Sequence, residues 1–139
     1  MSAASVQLGE WLGFAPPTTN AGLLELVQGG LDTSVVELLL QLGLERKEIE
    51  ALIIPMRTLQ HRRTRGARLT VEESDRVLGL LRTLSLTEEV YGGREKALEW
   101  LRWPNPRLND RVPLLLLNTS VGVRMVEELL IQIDEGMFI

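Results

Sequence analysis

At 139 residues, with 45% apolar and 24% charged side chains, the chain has the composition of one folded domain or of two small ones sharing a core. It has no cysteine and one histidine, His61, which excludes disulfides, thiol nucleophiles and cysteine-ligated zinc. The net charge of −4 is wrong for a nucleic-acid binder as a sum, but residues 1–55 carry −5, residues 56–68 carry +5 and residues 69–139 carry −4, so one positive island stands between two acidic regions.

Residues 1–20 mix glycine, proline and small side chains and end in Pro16-Pro17-Thr18-Thr19-Asn20. They read as a loosely ordered arm, with Trp11, Leu12 and Phe14 available to dock. Ala21–Val27 is a short helix stopped by Gly29-Gly30. Thr33 is placed to cap an apolar helix from Val35 to Leu42, which Gly43 closes. No apolar run nears eighteen residues, and no basic region leads into an apolar stretch at the N-terminus. Neither a membrane span nor a secretory leader is expected, and the expected location is cytoplasmic.

Two short helices follow, Glu45–Ile53 and Met56–Thr64, separated by Ile54-Pro55. A tight turn between two short helices, with arginines crowding the second, is the layout of a helix-turn-helix reader. Ile49, Leu52, Ile53 and Leu59 would hold the pair together. The second helix then presents Arg57, Thr58, Gln60, His61, Arg63 and Thr64 for DNA. Arginine can donate twice to guanine and glutamine can pair with adenine, each contact giving about 1–3 kcal/mol of discrimination. Arginines left over neutralise phosphates. The alternative is a solvated basic helix without a ligand. Helix-turn-helix turns favour glycine, because the chain visits positive φ there. Ile53-Ile54-Pro55 departs from that, so either the turn takes another shape or the DNA-binding unit is weakened.

Thr70-Val71-Glu72-Glu73 fits a capping box, and Val77, Leu78, Leu81, Leu84 and Ser85 continue at helical spacing. Gly92-Gly93 breaks the chain before a helix over Arg94–Arg102 that carries Trp100. Prolines push the preceding residue out of the helical region, so Trp103 and Asn105 are expected to be extended. Over Ser120–Ile133, Gly122, Met125, Val126, Leu129, Leu130 and Ile133 fall on one face. Arg124, Glu127 and Glu128 fall on the other, with Ile131 beside them. The apolar end, Met137-Phe138-Ile139, either folds back on the chain's own core or docks on a partner. No period-two alternation appears, and the reading is all-α.

Trp100-Leu101, Pro104-Asn105, Leu108, Pro113-Leu114, Leu116-Leu117 and Thr119 occur in the order and spacing of the toxin-binding domain of the Xre/MbcA/ParS antitoxins, which this segment resembles. Met56-Arg57-Thr58-Leu59-Gln60-His61-Arg62-Arg63 resembles the recognition-helix segment of the same family. Leu69-Thr70 and Glu73-Ser74-Asp75-Arg76 resemble its linking segment, so the resemblance covers residues 34–139. Taken with the composition of the N-terminal stretch, it divides the chain into an arm over 1–20, a helix-turn-helix region over 21–68 and a helical toxin-binding domain over 69–139.

The resemblance further implies an antitoxin that binds a RES-domain toxin, an NAD-using enzyme similar to ADP-ribosyltransferases, and covers its active-site entrance. A homodimer that binds operator DNA and represses its own operon goes with it. Carried over, the blocking element is Glu127, Glu128, Ile131, Asp134, Glu135, Gly136, Met137, Phe138 and Ile139. Charge complementarity, not the resemblance, suggests that their acidic groups would face the cationic pocket that accepts the phosphates of NAD. Trp100, Pro104, Asn105, Pro113 and Leu117 take structural roles, with the tryptophans and Leu114–Leu117 cementing a joint whose angle the prolines set.

No catalytic constellation appears, and no metal or cofactor is expected. Glu72-Glu73, Glu88-Glu89 and Glu127-Glu128 are adjacent pairs, which point about 100° apart on a helix rather than converging. A second reading of the whole chain is a stand-alone helix-turn-helix regulator with a helical dimerisation domain.

Overall fold

The computed structural model describes residues 3–13 and 20–136, and among these it is helical, with no strand. Eight α-helices follow in order: α1 (Ala3–Leu12), α2 (Asn20–Gly29), α3 (Val35–Gln41), α4 (Arg46–Leu52), α5 (Met56–Thr64), α6 (Val71–Tyr91), α7 (Arg94–Arg102) and α8 (Ser120–Asp134). Two short 3-10 helices, Pro106–Leu108 and Pro113–Asn118, lie between α7 and α8. None of the described helices is long and apolar enough to cross a membrane.

Helix α6 is the spine, and α1, α2, α7 and α8 all pack against it. Its start is a complete capping box: the Thr70 hydroxyl accepts the Glu73 N–H at 3.1 Å, and the Glu73 carboxylate accepts the Thr70 N–H at 2.8 Å. Val77, Leu78, Leu81, Leu84 and Ser85 are all buried, as their spacing predicts. Gly92 ends the helix at φ +83, a left-handed cap that glycine adopts without a Cβ clash.

The core is wholly aliphatic. Leucine, isoleucine, valine and Ala97 fill it, and none of the described aromatic side chains is buried. Burying each leucine or isoleucine contributes about 1.5–3 kcal/mol, so the α6 stripe alone is a large share of the stability.

Two expectations are corrected. The stretch read as a loose arm contains α1, which docks Leu8 against the core, while Gln7 Nε2 donates to Glu88 at 3.2 Å. Phe14 lies outside the described residues. Thr33 does not cap α3: Ser34 holds the cap position without a side-chain cap bond, and the Asp32 carboxylate accepts the Ser34 N–H at 3.0 Å. Gly43, at φ +107, does close that helix, with the Leu44 N–H bonded to the Leu39 carbonyl at 3.1 Å.

After α7 the chain turns as the prolines require: Trp103 (φ −95, ψ 141) and Asn105 (φ −114, ψ 122) are extended. The Asn105 side chain accepts the Arg107 N–H at 2.9 Å, and its backbone pairs with Arg111 in an isolated bridge. Pro113, Leu114 and Leu117 are buried where the second 3-10 helix meets α8. Trp100 is half-buried and Pro104 exposed. Trp103, expected to help cement this joint, stands 67% exposed, because an extended residue past a helix end no longer follows the helix's inward face.

Candidate functional site

Helices α4 and α5 form the expected two-helix unit, with Ile49, Leu52, Ile53 and Leu59 all buried between and behind them. The turn takes the alternative shape. Ile53 sits at φ −128, ψ −64, so no left-handed residue is needed. Ile53 and Ile54 are both buried, and their N–H groups converge on the Ile49 carbonyl at 2.8 and 3.2 Å. Arg76 of α6 clamps the turn from behind by donating to the Ile53 carbonyl at 3.1 Å. The Glu50 carboxylate accepts the Met56 N–H at 3.1 Å and so satisfies the open start of α5.

With Leu59 turned inward, Arg57, Gln60, His61 and Thr64 form one exposed face of α5. Thr58 lies half-buried at its edge. The Thr64 hydroxyl donates to the Gln60 carbonyl at 3.0 Å, and Arg65 Nη1 lies 3.3 Å from His61 Nε2. Arg63 falls on the inner flank, where it pairs with Glu37 of α3 and donates to the Thr33 carbonyl at 3.4 Å. Arg62 on the opposite flank pairs with Glu73 of α6. Burial pushes the Glu73 carboxyl up, but its hydrogen bonds with Arg62 and Thr70 outweigh this and hold it below the ordinary glutamate value. Two of the five arginines in the positive island are thus neutralised from within the fold, so the charge offered outward falls on Arg57, Arg65 and Arg68. Arg68 is anchored at one end, donating to the Gly30 carbonyl at 3.1 Å.

A second surface is the outer face of α8. Gly122, Val126, Leu129 and Leu130 are committed inward. Gly122 is required there, because a Cβ would fall on the Leu116 carbonyl group. Outward lie Val121 (59% exposed), Met125, Glu128 and Ile131 (47% exposed), so Met125 joins the outer face rather than the core stripe. Glu127 is half-buried and accepts from Arg82 of α6 at 3.1 Å. Asp134 and Glu135 are exposed at the helix end, and Gly136 turns the chain at φ +74. Met137, Phe138 and Ile139 lie outside the described residues.

A family model described as the antitoxin Xre/MbcA/ParS C-terminal toxin-binding domain matches residues 86–136, and one described as the antitoxin Xre-like helix-turn-helix domain matches residues 22–82. A protein named antitoxin Xre, from Yersinia enterocolitica, is 31% identical over 126 residues, covering 88% of this chain and 85% of the relative. The chain belongs to the Xre/MbcA/ParS antitoxin family. Another antitoxin Xre, from Pseudomonas putida, is 43% identical over 84 residues, 60% of this chain, and the match spans 53% of that relative's length. A protein named Prs ADP-ribosylating antitoxin, from a Sphingobium species, is 27% identical over 134 residues, 89% of this chain and 83% of the relative.

In this antitoxin the two matched regions meet inside α6, so one continuous helix serves both. Sequence reasoning missed the partners that order the two surfaces. Glu37 and Arg82 carried no local signal and Glu73 only that of its capping box, since each meets its arginine or glutamate partner only after the helices pack.

Proposed function

We propose that this antitoxin neutralises a RES-domain, NAD-using toxin by laying the outer face of α8 and the residues after it over the toxin's active-site entrance. The observation that carries this reading is the division of α8: a fully committed inner face and an outer face where Val121, Met125 and Ile131 stand exposed beside Glu128. Apolar side chains left in water at helical spacing, with exposed Glu128, Asp134 and Glu135 outnumbering Arg124 beside them, suit a protein partner with a cationic rim. The Sphingobium relative has ADP-ribosylation in its name, a chemistry that consumes NAD. Glu128, Ile131, Asp134, Glu135, Gly136 and the terminal Met137, Phe138 and Ile139 are the proposed contacts, with Glu127 positioned by Arg82 at their edge.

The same chain acts as a homodimer on operator DNA through α5, with Arg57, Gln60 and His61 foremost and Thr58, Arg63 and Thr64 at the margins. Co-expression with the co-encoded toxin tests the first role. Wild type restores growth, while Ile131→Asp and a chain ending at Glu135 do not. Full neutralisation by both variants would remove α8 from the mechanism.

A further inference from the structure

The chain has six aromatic side chains, and three of them, Tyr91, Trp100 and Trp103, wall one groove of about 460 Å³ on the outer side of α7. Tyr91 and Trp100 rest half-buried against the aliphatic core, while Trp103 takes no part in it. Tyr91 and Trp100 lie against each other with ring centroids 5.7 Å apart and planes tilted by 30°, forming a floor. Trp103 stands over it, two-thirds exposed, beside the ring of Pro104. Exposed tryptophan and tyrosine in a concave setting are what binding hot spots are made of.

The charges at the rim select the occupant. Glu99 lies one helical turn before Trp103 and Glu95 one turn before that, both exposed and without a partner among the described residues. Lys96 borders the same groove one turn before Glu99, without pairing with it. An apolar side chain seated between Trp103 and Glu99 would strip water from the carboxylate with nothing in return. An acidic one would be repelled. A guanidinium meets both needs, since its plane stacks on an indole while its N–H groups reach a carboxylate.

We propose that this groove is a second docking point for the toxin, receiving one of its arginine side chains between Trp103 and Glu99. This rests on the antitoxin reading above and adds to α8 a contact on another helix. The test is calorimetric titration of the co-encoded toxin into the full-length antitoxin and into Trp103→Ala, Trp103→Phe, Glu99→Gln and Glu99→Arg, with helicity and melting temperature checked for each. Trp103→Ala weakens binding by about tenfold and Trp103→Phe by less. Glu99→Gln weakens it by about threefold, and Glu99→Arg by more than either, because reversal sets two cations face to face. Unchanged affinity in Trp103→Ala, or a Glu99→Arg variant binding as tightly as wild type or tighter, overturns the proposal. If the wild type itself fails to bind the toxin, the antitoxin reading fails first.

Discussion

Glu48 and Arg102, 54 residues apart, grip each other through two hydrogen bonds of 2.9 and 2.8 Å. Arg102 also donates to the Gly43 carbonyl at 2.7 Å, and the Glu48 carboxylate accepts the Glu45 N–H at 2.8 Å. The last residue of α7 thereby pins the corner between α3 and α4, joining the half that carries α5 to the half that carries α8. Arg102→Ala would strand a carboxylate that is 8% exposed. The expected loss is about 2 kcal/mol, less than for a fully buried pair because Arg102 is one-third exposed and partly screened. Urea unfolding measures it, and Arg102→Lys should recover only part, since it lacks the planar fork. A loss below about 0.5 kcal/mol would show that the pair is ornamental.

The same carboxylate predicts a pH response. Burial pushes Glu48 up, but the hydrogen bonds from Arg102 and the Glu45 N–H outweigh it and hold the group below its ordinary value of 4.5. Glu73 behaves likewise. A carboxyl whose folded-state value is depressed adds stability above its unfolded value and loses it as pH falls through the folded one. The urea midpoint should therefore hold from pH 7 to pH 5 and drop below 4.5. The Glu48→Gln, Glu73→Gln double variant should be weaker at pH 7 and shallower in acid. An identical acid slope in both proteins would assign the drop to other groups.

Gly122→Ala tests the joint between the second 3-10 helix and α8. Alanine in a helix interior ordinarily gains about 1 kcal/mol over glycine. Here the new Cβ would lie within 2.7 Å of the Leu116 carbonyl carbon, backbone that cannot swing aside. The sign reverses, with a loss of about 3 kcal/mol and a clear fall in melting temperature. An unchanged melting temperature would mean the helix shifts freely, and α8 would then not be fixed by this contact.

Ile53→Gly restores the residue that helix-turn-helix turns usually favour, yet it should destabilise. Ile53 is 4% exposed and its φ is negative, so glycine gains no conformational relief and removes a buried side chain. The expected cost is about 3 kcal/mol by urea unfolding. A neutral or stabilising effect would argue for a left-handed turn in solution.

On promoter DNA, Arg57→Ala should weaken binding about tenfold and reduce the salt slope by about 0.9, as loss of one phosphate or base contact does. Arg63→Ala should lose less than threefold, because that guanidinium is engaged by Glu37 and the Thr33 carbonyl. The reverse ranking in anisotropy titrations at several salt concentrations would put the inner flank of α5, not its exposed face, on DNA.

What the sequence made legible was local. The Thr70–Glu73 box, the Gly92 cap, the extended Trp103 and Asn105 and the buried stripe of α6 each depend on neighbours within a turn or two. What it hid was tertiary. Arg62 and Arg63 looked like free cations until Glu73 and Glu37 came up beside them from other helices. Helix α1 has two glycines within or just after it and a weak apolar face, and it is stabilised by docking on α6 rather than by its own propensity. Met125 sits at the edge of the α8 stripe, where the 3.6-residue period does not decide between core and solvent.

The exposure of Trp103 decides how this protein reports on its partners in spectroscopy. Trp103 already stands in water in the native state, so its own share of the indole emission should move little when the chain unfolds, whereas Trp11 and Trp100, half-buried against the core, carry the folding signal. A partner settling on α7 would quiet that solvent-facing indole and shift its emission to the blue. For this chain, the emission of Trp103 is a gauge of company kept rather than of folding.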